Sequence, residues 1–247
     1  MSEYSIEIYL VVALGILFIG MSKGGLGASL GALAVTLTAL VLPIKDVVGF
    51  MLPILMLADI LAVGAHWKKW NGRLLVWLIP ASLVGVTLGT LLLANAPSDL
   101  IRILLGIIVL LLALYKLFQK SISKRLTYTP RNWHGLIAGS VAGFTSSVAH
   151  TGGPPIDSFL LMQNLQPRTF AATAAIFFFI LNYIKVPFYF AADVFNFDLL
   201  RQFVGLLLIV PLGVWAGRWL VVRVSKKVYD NIILAFLFIA ALLLIFT

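Results

Sequence analysis

The chain has 247 residues, of which 62% are hydrophobic and 11% are charged, and its formal net charge is +9. Soluble domains are about half apolar and a quarter charged, so this composition excludes an ordinary soluble protein. The sequence contains no cysteine, which excludes disulfides and thiolate metal sites. In a membrane protein an excess of Lys and Arg reports orientation rather than nucleic-acid binding. We therefore expect an all-α polytopic membrane protein that binds no nucleic acid.

Ten apolar segments follow one another along the chain. They lie at about 5–21, 26–42, 47–66, 74–95 and 100–118, and then at 132–149, 154–164, 169–191, 199–220 and 228–247. The N-terminus, MSEYSIE, lacks the basic region of a signal peptide, so the first segment is expected to remain in the protein. We predict a first membrane repeat at 1–118, a cytoplasmic linker at 119–131 and a second membrane repeat at 132–247.

The two halves repeat the same landmarks in the same order. Each begins with an apolar run that ends in a diglycine, in SKGGLG at 22–27 and in HTGGPP at 150–155. Each has a late Gly-xxx-Gly pair, Gly85/Gly89 in the first half and Gly213/Gly217 in the second. Small residues at this spacing are common in membrane helices, but the ordered series predicts an internal duplication of the kind found in transporters.

The segment at 154–164 is too short to cross a bilayer, because about eleven residues at 1.5 Å per residue cannot span a ~30 Å core. We interpret it as the returning arm of a hairpin that enters at 132–149 and turns at HTGGPP. The matching hairpin, 5–42, turns at SKGGLG and is either re-entrant or fully spanning. Each half then makes three net crossings, and an odd number inverts the second half. The prediction is two inverted repeats, each with a re-entrant or broken helical hairpin plus three transmembrane helices.

Charge predicts the orientation. Three basic residues, Lys45, Arg102 and Arg201, lie on one side. Thirteen lie on the other, which we call the basic end, in ranges 66–73, 116–132, 165–168 and 218–228. The positive-inside rule makes the basic end cytoplasmic and places both termini outside. The thirteen are Lys68, Lys69, Arg73, Lys116, Lys120, Lys124, Arg125, Arg131, Arg168, Arg218, Arg223, Lys226 and Lys227.

Ionisable residues inside a membrane are functional candidates by default. Lys23 and His150 occupy the two hairpin tips, and each precedes a diglycine and the start of a helix, which presents free N–H groups. This pattern predicts an anion site, although glycine and proline in membrane helices also serve packing alone. The predicted site comprises Ser22, Lys23, Gly24, Gly25, His150, Thr151, Gly152 and Gly153, with hydroxyl donors from Thr145, Ser146 and Ser147.

Three further ionisable residues lie within the predicted membrane segments. Asp157 either complements the positive end of its helix or is a proton or cation site. Asp59 and Lys185 fall at similar places in the two repeats, so they form a buried ion pair, or each faces its own cavity, or Lys185 snorkels. Asn182 and Tyr183 are secondary pocket candidates. We find no catalytic motif, and we expect no metal and no cofactor.

The sequence resembles the sulfite exporter TauE/SafE family, also called toluene sulfonate uptake permeases. The resemblance is carried by GMSKGGLGASLGAL at 20–33 with Pro43, and by AGFTSSVAHTGGPPI at 142–156 followed by QPRTFAAT at 166–173. It covers nearly the whole chain, and the two tips are specific only in combination.

The resemblance implies a multi-pass transporter in a prokaryotic plasma membrane that moves sulfite or organosulfonates, often outward. Carried over by position, its site comprises Lys23, Gly24, Gly25 and the tip at 150–153. We expect a small anionic substrate, with protons as coupling ion through His150 or Asp157. An anion channel of the same architecture is the alternative, and a membrane enzyme is the less favoured one. Glycine-rich helix faces would permit a homodimer.

Overall fold

The computed structural model describes residues 4–125 and 131–246, without the side chains of 119–125, 132, 226 and 227. Within those ranges the regular structure is helical throughout, which confirms the all-α fold. Residues 126–130 of the predicted linker lie outside the described part. The first linker residues, 119–125, continue the helix that begins at Ser98. The α-helices are α1 Ile6–Met21, α2 Ala28–Ala39, α3 Ile44–Ala65, α4 Gly72–Asn95, α5 Ser98–Arg125, α6 Asn132–Ala149, α7 Gly153–Leu161, α8 Pro167–Ala191, α9 Phe197–Phe203, α10 Ile209–Val221 and α11 Lys226–Phe246.

Seven helical stretches in the described residues are long and apolar enough to cross a membrane, which confirms a polytopic membrane protein. Two of them combine elements, because a π-helical turn (Ser22–Leu26) extends α1 and a 3-10 turn (Val204–Leu208) joins α9 to α10. The seven stretches are Ile6–Leu26, Ile44–Ala65, Gly72–Asn95, Ser98–Phe118, Pro167–Ala191, Phe197–Val221 and Val228–Phe246.

The returning arms of both hairpins are short. α2 has 12 residues and α7 has 9, which at 1.5 Å per residue is about 18 Å and 14 Å. The rings of Tyr4 and Tyr9, at the start of α1, contact Phe203, which also contacts Phe50 near the start of α3. The first hairpin therefore begins and ends at the same end of the bundle, as both the re-entrant and the fully spanning alternatives require.

Each hairpin packs against the third long helix of the other half, α1 along α10 and α6 along α4. The Gly-xxx-Gly pairs lie in these two contacts: a Cβ at Gly85 would strike the Ser140 carbonyl, and one at Gly217 would strike the Met21 carbonyl. Such close approach of backbones is possible only with glycine at these positions. The contacts tie the two halves together and hold both hairpin tips in the centre of the bundle. The inverted relation of the halves stays a prediction.

Candidate functional site

The first tip is a turn that only glycine can complete. Gly25 has φ 130° and Gly27 has φ 92°, values that side chains with a Cβ rarely adopt. Ser22 closes the turn, since its hydroxyl donates to the Gly27 carbonyl at 2.9 Å and its carbonyl accepts from the Gly27 N–H at 3.1 Å. From the far side, the Tyr229 hydroxyl donates to the Leu26 carbonyl at 2.9 Å. SKGGLG thus ends one helix and starts α2 at Ala28.

The second tip turns at a residue with a side chain. His150 ends α6 in the left-handed conformation, with φ 51°. α7 then starts at Gly153, and Pro154 and Pro155 occupy its first turn, where a missing N–H costs little. A Cβ at Gly153 would strike the Ala28 Cβ, so the starts of α2 and α7 meet. The meeting of the two tips predicted from sequence is therefore present.

A cavity of about 310 Å³ lies at this meeting point. Much of its wall is apolar, from residues such as Phe170, Ala174 and Phe178, whereas the polar groups are concentrated at the tips. Helix starts and cations beside a small apolar chamber suit an anion that has an apolar part. The predicted residues that line the cavity are Ser22, Lys23, Gly24, Gly25, Ser146, His150, Gly153, Asp157 and Asn182.

Other predicted residues lie outside the cavity wall. Thr145 and Thr151 line a separate apolar groove behind the second tip. Tyr183 is 44% exposed on the outer face of α8, and its ring contacts that of Phe179 in a tilted arrangement. Ser147 is buried against α4, near Gly89. Gly152, Asp59 and Lys185 also stand behind the lining residues, so any influence of the last two on a ligand is indirect.

Asp59 pairs with Lys23, not with Lys185. The Lys23 Nζ lies 2.6 Å from Asp59 Oδ1, and the Asn182 amide donates to Asp59 Oδ2 at 2.6 Å. The Lys23 ammonium also lies 4.9 Å from the centre of the Phe178 ring, a cation–π contact. The buried carboxylate therefore has an ion pair at one oxygen and a hydrogen bond at the other, and it neutralises the charge of the first tip.

Lys185 instead joins the second tip. Its ammonium donates to the Ser146 carbonyl at 3.2 Å, to the Ser146 hydroxyl at 3.0 Å and to His150 Nδ1 at 3.0 Å. His150 Nε2 lies 2.9 Å from the Val48 carbonyl, which only accepts, so the imidazole carries its proton on Nε2 and is neutral. Because Lys185 occupies the Ser146 oxygen as an acceptor, the Ser146 hydroxyl hydrogen can be donated into the cavity.

The cavity extends to the basic end of the bundle. Ala65, His66, Ala171 and Arg218 line it there, and all four are exposed or half-buried. Sequence reasoning assigned no role in the site to His66 and counted Arg218 only towards orientation. The signal available in the sequence was the Gly213/Gly217 pair, which predicts close helix packing. Arg218 directly follows Gly217 and therefore lies beside that contact.

The other end is closed by direct contacts. The His150–Val48 hydrogen bond lies there, and the fully buried Tyr189 donates its hydroxyl to the Ser147 carbonyl at 2.6 Å. A Cβ at Gly49 would strike the Val194 carbonyl, so α3 and the segment after α8 touch. We call this set of contacts the outer closure. Within the described residues, the cavity reaches exposed side chains at the basic end, and these contacts separate it from the other end.

Among the described residues, no cluster of His, Asp and Glu has the spacing to hold a metal ion. No match to the chain was found among curated proteins or among solved structures. The family described as sulfite exporter TauE/SafE matches residues 12–244, which include both tips and all the cavity-lining residues. The chain therefore belongs to the sulfite exporter TauE/SafE family.

Proposed function

We propose that the protein is a secondary transporter that exports small sulfur-containing anions, such as sulfite or organosulfonates, across a prokaryotic plasma membrane. The observation that carries the proposal is the cavity that lies between the two tips and reaches exposed residues at the basic end. Lys23, the backbone N–H groups at the starts of α2 and α7, and the Ser146 hydroxyl offer donors to an oxyanion there. Membership of the family supports the class of substrate.

A carrier that alternates between two openings accounts for the outer closure better than a channel does. A channel needs a continuous pore, whereas here hydrogen bonds to Val48 and Ser147 close the end opposite the mouth. Opening that end requires His150 and Tyr189 to release their acceptors while the basic end closes. Positive-inside bias supports a cytoplasmic mouth, and hence uptake of substrate from the cytoplasm.

Proton coupling fits Asp157 better than His150. The buried cluster holds two lysines, Lys23 and Lys185, and two carboxylates, Asp59 and Asp157, so its formal charge is zero when all four are ionised. A proton on Asp157 raises the formal charge of the cluster to +1, and a bound monoanion then neutralises that charge. His150 cannot take a proton on Nδ1 while the Lys185 ammonium points at that atom. We therefore assign coupling to Asp157, which faces the cavity.

The test is ligand-dependent stability of the purified protein. Sulfite, sulfate, thiosulfate, sulfoacetate, taurine, acetate and chloride would be added to wild type, to Lys23→Ala and to the control Lys45→Ala, which lies at the opposite end from the mouth. A ligand at 100 times its Kd stabilises the folded state by about 2.7 kcal/mol. We expect a sulfur oxyanion to raise the Tm of wild type and Lys45→Ala, and to have little effect on Lys23→Ala.

Transport completes the test. Proteoliposomes loaded with the stabilising anion should release it at a rate that saturates with concentration, because a carrier has a limited number of sites. Release that rises linearly to high concentration would instead indicate a channel. Absence of both stabilisation and release with every sulfur anion would reject the proposed function.

A further inference from the structure

One cationic side chain in the cavity wall has no counter-ion. Arg218 lies in the last turn of α10 at the mouth of the cavity, is exposed, and makes no hydrogen bond or ion pair within the described residues. Its backbone packs against the first tip, since a Cβ at Gly24 would lie 3.1 Å from the Arg218 nitrogen. The guanidinium therefore belongs to the wall next to the glycine turn.

The other charges of the cavity are balanced or set back. Asp59 neutralises Lys23 at 2.6 Å. Lys185 is fully buried behind Ser146 and His150, and the imidazole of His150 is neutral in this arrangement. Among the described residues, Asp157 is the one carboxylate on the wall, and it repels an anion when ionised. Among the described residues that line the cavity, Arg218 is therefore the cation at the mouth that no carboxylate neutralises.

We propose that Arg218 binds the substrate anion directly and forms a subsite at the mouth, beside the Gly24–Gly25 turn. A planar guanidinium presents a fork of N–H donors that matches two oxygens of a sulfonate or sulfite group. Capture at the mouth raises the local concentration of substrate before it reaches the two tips, where the protein's own carboxylates compete for the cations. The inference rests on the proposed function, because it takes an oxyanion as the substrate of this cavity.

Arg223 supplies a matched control. It is an exposed arginine five residues further along, but its guanidinium lies 4.2 Å from the Trp219 ring centre and does not line the cavity. Titration calorimetry with sulfite and with sulfoacetate would compare wild type, Arg218→Gln, Arg218→Lys and Arg223→Gln. We expect Arg218→Gln to raise the Kd about tenfold, equal to about 1.4 kcal/mol. The Kd of Arg218→Lys should lie between those of wild type and Arg218→Gln, and the Kd of Arg223→Gln should stay within about twofold of wild type.

The outcomes separate the two proposals. Wild type that binds one of these anions while Arg218→Gln binds it equally well overturns the role of Arg218 and leaves the proposed function intact. An equal loss in Arg218→Gln and Arg223→Gln also overturns it, because that result reports only the overall field of the basic end. Wild type that binds neither anion overturns both proposals.

Because the chain has no cysteine, charge can be restored chemically at this position. Arg218→Cys would be treated with a methanethiosulfonate reagent that carries a trimethylammonium group and, separately, with one that carries a sulfonate. We expect the cationic reagent to recover most of the lost affinity and the anionic one to recover none, with neither affecting Arg223→Cys. Equal effects of the two reagents on Arg218→Cys would contradict an electrostatic contact with the substrate.

Discussion

Lys23 and Asp59 form an ion pair beside the cavity, with 2.6 Å between Nζ and Oδ1. Asp59 is fully buried, whereas 18% of the Lys23 side chain is exposed. The lysine on which the predicted anion site at the first tip depends is thus already held by a carboxylate. A substrate anion must compete with Asp59 for this ammonium or share it.

Asp59→Asn should make stability depend on anions more strongly than in wild type. Removing one partner of a buried pair leaves the other charge uncompensated and costs about 3 kcal/mol. A sulfur oxyanion can take the place of the lost carboxylate, so added sulfite should raise the Tm of the variant by more than it raises that of wild type. Asp198→Asn, whose carboxylate is 95% exposed, is the control. An equal sulfite shift in Asp59→Asn and wild type would mean that substrate does not approach Lys23.

Lys185→Met should weaken anion binding with little loss of stability. Methionine occupies similar space, and the desolvation cost of the buried ammonium disappears with the charge, which offsets part of the loss of its hydrogen bonds. The Ser146 carbonyl still accepts from the His150 backbone N–H at 3.0 Å, whereas the Ser146 hydroxyl and His150 Nδ1 each lose the donor that Lys185 supplied. The check is the Tm and the calorimetric Kd for sulfite, with Lys45→Met as control. Unchanged affinity would show that the charge behind Ser146 and His150 does not reach the substrate.

Most of the fold could be predicted from the sequence because a chain in lipid must satisfy its backbone hydrogen bonds within helices. Apolar runs therefore match the observed helices closely, and the short run at 154–164 became the short helix α7. The run at 199–220 was predicted as one segment but is interrupted by a 3-10 turn at Val204–Leu208. Pro211 has no N–H to donate to the carbonyl four residues earlier, so one hydrogen bond of a regular α-helix is missing there. The pattern of hydrophobic residues does not reveal this missing bond.

The site could be predicted in part. Lys23 and His150 stand out because charge, glycine and proline together are rare inside a membrane. Their partners depend on helix rotation, which a repeat offset of about 124–128 residues gives only approximately. Asp59 contacts Asn182, which is 123 residues away, and Lys185, almost one turn further along α8, faces the second tip instead. The role of Arg218 in the cavity wall was missed because the positive-inside rule already accounted for a basic residue at this position.

Tyr229→Phe should lower stability slightly and weaken anion binding. The variant loses the hydroxyl that donates to the Leu26 carbonyl at 2.9 Å, a bond worth about 1 kcal/mol net. The first tip then loses a fixed point next to its glycine turn, so the Kd for sulfite should rise. Tyr183→Phe is the matched control, since that ring lies outside the cavity wall. Similar binding by both variants would show that Tyr229 only stabilises the fold.

Gly85→Ala should destabilise the protein by about 1–3 kcal/mol through overpacking. The added Cβ would strike the Ser140 carbonyl, which belongs to α6, so α4 and the second hairpin would have to separate. Gly64→Ala is the control, because a Cβ there meets nothing within 4 Å and alanine favours the helix. Thermal unfolding of both variants in the same detergent checks the expectation. An equal Tm for the two would mean that the contact between α4 and α6 tolerates separation.

Asp157→Asn should uncouple anion transport from the pH gradient. Asparagine keeps the size of a protonated aspartate but cannot exchange the proton, so the cluster of Lys23, Lys185, Asp59 and position 157 remains at +1 throughout the cycle. Proteoliposomes with an imposed pH gradient should transport sulfite faster than those without it for wild type, and equally fast for the variant. His150→Gln should retain the gradient dependence, because its imidazole is neutral beside Lys185. Loss of the dependence in His150→Gln but not in Asp157→Asn would transfer the coupling role to the histidine.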